Sequence, residues 1–82
     1  MDIHALEVFC RIMELRSFSR AAEAVSLTQP TVSGHIKNLE EEAGTRLFDR
    51  LAKEVRPTKA GEILYRYATE ILRLRAAALQ AL

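Results

Sequence analysis

The 82-residue chain has one cysteine, no tryptophan, three glycines and two prolines. A single thiol, Cys10, excludes an internal disulfide and a multi-thiolate zinc site. The longest unbroken apolar run is the four residues Ala76 to Leu79, where a bilayer span needs roughly 20. Met1-Asp2-Ile3-His4 lacks the basic start and apolar stretch of a secretory signal, so a cytoplasmic location is expected. His4 and His35 have no partner ligands at metal spacing, and the chain has no Ser–His–Asp set and no glycine-rich phosphate loop. It therefore reads as a non-enzyme with neither metal nor cofactor of its own. Also missing is a basic excess. Twelve Lys+Arg stand against eleven Asp+Glu for a net charge of +1, a total that argues against a polyanionic partner.

What is present is helix-forming sequence in four segments. Asp2 is a fair N-cap, and Leu6, Phe9, Ile12 and Met13 follow at helical spacing. Ser17 or Ser19 can cap a second helix, whose Phe18, Ala21, Ala22 and Val25 share one apolar face. After the short break Ser26-Leu27-Thr28, Thr28 caps a third helix that tolerates Pro30 in its first turn. Val32, Ile36, Leu39 and Ala43 form its expected buried stripe, and Gly44 is a natural stop. Helical periodicity then lapses. Leu47-Phe48 and Val55 are expected to form two very short strands around a charged tip from Asp49 to Glu54, and Thr58 restarts a helix. Two short helices joined by a tight turn make a helix-turn-helix. The first helix and the hairpin extend it to a winged form, mainly α, of three helices and a two-stranded wing.

On the third helix the outward positions are Pro30, Ser33, Gly34, Lys37 and Glu41, flanked by Thr31 and Asn38. The first turns are narrow and rich in hydrogen-bonding groups, which suits a helix entering a major groove. Gln29 can pair with adenine, Thr31 and Ser33 can donate or accept, and Lys37 can reach a guanine or a phosphate. The far end carries Glu40, Glu41 and Glu42, read as a solvated triplet that repels phosphate. Charge is thus unevenly placed: residues 45–59 sum to +3 and residues 40–44 to −3. Arg50, Lys53 and Arg56 are positioned to track a DNA backbone or reach a minor groove. A protein-interaction module whose helix-turn-helix has lost DNA binding is the rival reading, favoured by the near-neutral total and opposed by this basic hairpin.

From Ala60 onward Leu64, Tyr67, Ile71, Leu74, Ala78 and Ala81 recur at alternating spacings of three and four, a heptad seam. Ile63, Leu72, Leu79 and Leu82 widen it. Homodimerisation through this long helix is the expected use. A helix folded back on its own domain is the other outcome such a pattern allows. The seam reaches the last residue without a stop signal, as expected of the front part of a longer protein.

The runs Ser17-Phe18-Ser19-Arg20-Ala21-Ala22 and Thr28-Gln29-Pro30-Thr31-Val32-Ser33 carry a resemblance, together with Ile36, Leu39-Glu40, Gly44, Leu47-Phe48, Arg50 and Thr58-Lys59-Ala60-Gly61. In these residues the chain resembles the LysR-type transcriptional regulators. The resemblance implies a winged helix-turn-helix DNA-binding domain over residues 1–57 and a linker helix over 58–82. It implies antiparallel dimers through that helix, tetramers at full length, and a small-molecule co-inducer bound by a further C-terminal domain. By motif, Gln29, Pro30, Thr31, Ser33 and Lys37 fall where the family reads bases. Ser17, Ser19, Thr28 and Arg50 fall where it holds phosphates, with Arg20 beside them. Two positions depart: Gly34 stands among the base-reading residues where arginine or another larger residue is common, and Ala43 stands where leucine is usual.

Overall fold

A computed structural model describes all 82 residues and contains four helices: α1 (Ile3–Leu15), α2 (Phe18–Ala24), α3 (Gln29–Ala43) and α4 (Lys59–Ala81). Each begins on a side-chain cap that satisfies one of the free N–H groups of a helix start. Asp2 Oδ1 accepts from His4 N–H at 3.2 Å, and Ser17 Oγ from Arg20 N–H at 3.0 Å. Thr28 Oγ1 accepts from Thr31 N–H at 3.4 Å, and Thr58 Oγ1 from Gly61 N–H at 3.1 Å. Of the two serines open to the second cap, Ser17 takes the role. Helix α2 ends at Ala24, and the chain turns through Ser26, whose φ of 57° is left-handed, before α3. Gly44 ends α3 at φ 72°, where its N–H returns to the Glu40 carbonyl at 2.8 Å.

Helix α1 lies at the centre and packs against the other three. Its Leu6, Phe9 and Ile12 are fully enclosed, joined by Val32, Ile36 and Leu39 of α3 and by Leu47. Phe48 reaches in from the segment after α3, its ring 5.5 Å from both Phe9 and Phe18. At separations like these, tilted aromatic pairs add about 0.5–1.5 kcal/mol each beyond their burial. The core thus ties the hairpin segment to α1 and α2 through the Phe48 ring.

Three expectations are corrected here. The two strands of the wing reduce to one antiparallel bridge, Phe48 with Pro57. It is flanked by Asp49 N–H to Arg56 O at 2.8 Å and Thr58 N–H to Leu47 O at 2.9 Å. Pro57 has no N–H with which to extend a ladder, and Val55, half-buried against the core, lies outside the bridge. Second, Ala43 is exposed, and Glu40 takes the buried place beside Leu39. Third, Leu64 belongs to the core rather than to a free seam.

Helix α4 is in fact used on two faces. Gly61, Leu64 and Ala68 are buried in the domain, with Leu72 half-buried behind them. Gly61 is glycine for a steric reason: a Cβ there would collide with the Leu47 carbonyl oxygen. Arg75 closes the seam against Glu7 of α1 at 3.5 Å. The adjoining face, Tyr67, Ile71, Leu74 and Ala78, is exposed, as is Leu79 past the end of the packed stripe, and no helix of the chain is long and apolar enough to cross a membrane.

Cys10, buried in α1, has its thiol pushed up from 9.0 to about 11, first by burial and then by the charge of Glu14. Burial, followed by the charges of Glu14 and Cys10, pushes the Tyr65 phenol up as well. Between pH 9 and about 11 the folded chain therefore holds protons that the unfolded chain has released. Stability should be full below pH 9, fall as pH rises through that window, and fall less in Cys10→Ala. Urea titrations across the range check this.

Candidate nucleic-acid interface

Thr28 and Pro30 set the first turn of α3 on the surface, and its outward residues form one polar strip. Gln29, Pro30, Thr31, Ser33, Gly34 and Lys37 are all exposed, while Val32 and Ile36 turn into the core between them. The Thr31 hydroxyl is already joined to the Thr28 hydroxyl at 2.8 Å, so its rotamer is set before any ligand arrives. Gly34 has open space around its missing Cβ, so neither crowding nor an unusual backbone angle requires glycine there. A glycine inside a helix costs about 1 kcal/mol relative to alanine. At this position the cost has no counterpart in the fold.

Between α3 and the hairpin lies a cleft of about 500 Å³. Ser33, Gly34 and Lys37 form one wall, and the chain from Asp49 to Arg56 forms most of the other. Arg16 helps hold that second wall, its Nη1 donating to the Val55 carbonyl at 3.5 Å. Below α3, Ser17 and Ser19 hydroxyls lie 3.1 Å apart, and Arg20 is exposed on the same turn. The expected base-facing residues thus share one strip, with Lys53 and Arg56 across the cleft from it.

The charge pattern differs from a basic hairpin set against an acidic triplet. Glu40 is buried at 7% exposure, and its Oε2 accepts from the Leu47 N–H at 2.8 Å. Its Oε1 accepts from Arg50 Nη2 at 2.7 Å and lies 3.9 Å from Arg46 Nη1. Glu42 meets the N-terminal amine at 2.9 Å. Two of the three carboxylates are therefore internally paired, and only Glu41 remains as free negative charge. The hairpin is partly discharged in return, because Arg56 pairs with Glu54 at 2.7 Å. Lys37, Lys53 and Arg20 on this face have no ion pair, and Arg16 meets only the Val55 carbonyl.

Glu40 and Arg46 are the residues that sequence reading missed. A signal existed: Glu40 follows Ile36 by four residues and so continues the buried stripe that Ala43 was expected to continue. No cluster of three or more His, Cys, Asp or Glu side chains with metal-binding geometry is present. Apart from the cleft, the notable surface is an all-apolar groove of about 410 Å³ between the end of α3 and α4, with Met1, Ile63, Tyr67 and Ile71 on its walls.

A helix-turn-helix carrying a bridged hairpin, with an exposed polar strip on its second helix, defines the class of protein. The family model for bacterial regulatory helix-turn-helix proteins of the lysR family matches residues 3–62. The chain belongs to that family. It is 46% identical over 80 residues to the HTH-type transcriptional regulator BudR of Klebsiella aerogenes, covering 98% of this chain and 56% of that protein. It is 41% identical over 73 residues to the DNA-binding transcriptional dual regulator OxyR of Escherichia coli K12, covering 89% of this chain and 24% of that one. Among solved structures, the BenM DNA-binding domain in complex with benA site 1 DNA superposes with a TM-score of 0.94 at 33% identity, covering 99% of this chain and 91% of that chain. The chain thus spans 56% of that BudR sequence and 24% of that OxyR sequence. These relatives are transcriptional regulators, which agrees with the non-enzymatic reading.

The two glycines separate a site position from a packing position. Gly34→Ala should raise stability by about 1 kcal/mol. Gly61→Ala, equally favourable by propensity, should lower it by about 1–3 kcal/mol through overpacking. Denaturant midpoints of the two variants, measured side by side, check the contrast.

Proposed function

We propose that this chain binds double-stranded operator DNA sequence-specifically, as a dimer, for a transcriptional regulator of the cytoplasm. The observation that carries the reading is the exposed strip on the first half of α3, bordered by a cleft whose unpaired cations are Lys37 and Lys53. It is supported by the likeness to a relative solved on its DNA site. Gln29, Pro30, Thr31, Ser33, Gly34 and Lys37 enter the major groove. Gly34 gives the groove its closest approach, since its surroundings leave room that a side chain would fill. Ser17, Ser19, Arg20 and Thr28 take phosphates on one side; Arg50, Lys53 and Arg56 take the backbone or minor groove on the other.

We assign residues 1–57 to recognition and 58–82 to assembly, with the first two turns of α4 shared between them. The dimer forms through the outer face of α4, using Tyr67, Ile71, Leu74 and Ala78. In an antiparallel pair the far end of the partner's α4 lies over the apolar groove beside Ile63 and Tyr67, covering side chains that are 40% and 62% exposed here. In the full-length regulator a C-terminal domain binds the small-molecule co-inducer, and dimers pair into tetramers.

Selection of bound duplexes from a random DNA pool tests the reading, and enrichment of no sequence at any salt would favour the protein-interaction alternative. Lys37→Ala should reduce the slope of log affinity against log salt by about one unit if Lys37 meets a phosphate. If it reads a base instead, discrimination at one position should fall by about 1–3 kcal/mol. Leu74→Glu should leave the domain folded, since Leu74 is 56% exposed in the single chain, convert the dimer to monomer in sedimentation equilibrium, and lower the melting temperature only by the lost, concentration-dependent dimer contribution.

A further inference from the structure

Arg50 stands where a phosphate contact is expected, yet its guanidinium already meets a carboxylate. Glu40 Oε1 takes Arg50 Nη2 at 2.7 Å, and Glu40 Oε2 takes the Leu47 N–H at 2.8 Å, so both carboxylate oxygens are engaged. The Glu40 carbonyl is equally occupied, accepting from Gly44 N–H at 2.8 Å and Thr45 N–H at 3.2 Å. Arg50 is asymmetric in this setting. Its side chain is 55% exposed, and the pairing uses one of the five N–H donors of a guanidinium, leaving the others without a protein partner. Lys37, Arg46 and Arg50 line one wholly polar depression beside the cleft, with Glu40 and Glu41 in its wall.

We propose that Glu40 is a positioning residue for DNA phosphate: it holds Arg50 in one orientation and cancels its charge toward distant phosphates. This rests on the DNA-binding reading above. A backbone phosphate that reaches the depression in register meets preset donors, and the arginine need not be ordered at that moment. A phosphate out of register meets an Arg50 whose charge is partly offset by Glu40, which also lies 3.9 Å from Arg46. Arg50 therefore adds to discrimination between sites more than to general attraction, and the small net charge of the chain works in the same direction. Lys37 and Lys53, without carboxylate partners, supply the general attraction.

The test compares Glu40→Gln with Glu41→Gln, which changes net charge identically at an exposed, unpaired neighbour. The amide introduced by Glu40→Gln retains an acceptor for the Leu47 N–H, and thermal melting verifies that each variant is folded. On random duplex DNA, Glu40→Gln should bind more tightly than Glu41→Gln, with a salt slope steeper than wild type by about 0.9, one phosphate's worth. Its preference for the selected sequence over random duplex should fall several-fold, while that of Glu41→Gln should not. Arg50→Lys, which keeps the charge and loses the planar fork, should also lose preference for the selected sequence several-fold. Equal shifts in the two glutamine variants, with preference intact, would overturn the proposal. If the wild type shows no preferred sequence, the DNA reading itself fails. Retention on immobilised heparin then decides the pairing: later elution of Glu40→Gln than of Glu41→Gln upholds charge cancellation, and equal elution refutes it.

Discussion

The segment that follows α3 has to leave the helix, cross the core with Leu47 and Phe48, and return as Pro57 in time for Thr58 to cap α4. Glu40 makes that route determinate. Its backbone carbonyl closes the end of the helix through Gly44 and Thr45, and its carboxylate fixes Leu47 and Arg50 beyond it. A buried carboxylate is tolerable only when its oxygens are occupied, and both are. With Leu47 fixed, its carbonyl is in place to accept the Thr58 N–H and to lie against Gly61. The recognition helix, the hairpin and the start of α4 are consequently set in relation to one another by a few contacts within one short stretch.

Much of the fold was legible because it rests on local rules. The caps at Asp2, Ser17, Thr28 and Thr58 and the stop at Gly44 each depend on one side chain and its immediate neighbours, and each lies where the sequence places it. What was not legible depends on partners distant along the chain. The role of Glu40 needs Arg50 ten residues away, and a charge count by segment registers the two as opposing blocks rather than as a pair. The strand pattern at Val55 was overridden because Pro57 forms the bridge and Val55 packs instead. The heptad was read as one face, whereas Leu64 turns inward and Tyr67 outward; a period of three and four does not say which partner each turn of the helix meets.

The expected strip on α3 was accessible to reading for a different reason. Once Val32, Ile36 and Leu39 are known to be inside, helical geometry alone places Ser33, Gly34 and Lys37 outside. The electrostatics of the site were less accessible, because pairing ties up the hairpin arginines and leaves Lys53 as its free cation. Lysine acts as a hydrated point charge and arginine as a directional fork. A surface with tethered arginines and free lysines therefore divides alignment and attraction between two residue types.

Gly61 lets α4 begin in contact with the Leu47 backbone, and Ala68 and Arg75 continue that contact along α1. The helix is thus clamped along its first turns and cannot swivel about its own start. In an assembly built on α4 it behaves as a stiff lever, so that a small change in the crossing angle of two such helices becomes a displacement of the two reading heads. The separation between half-sites would then be set by that angle rather than by bending of the arm.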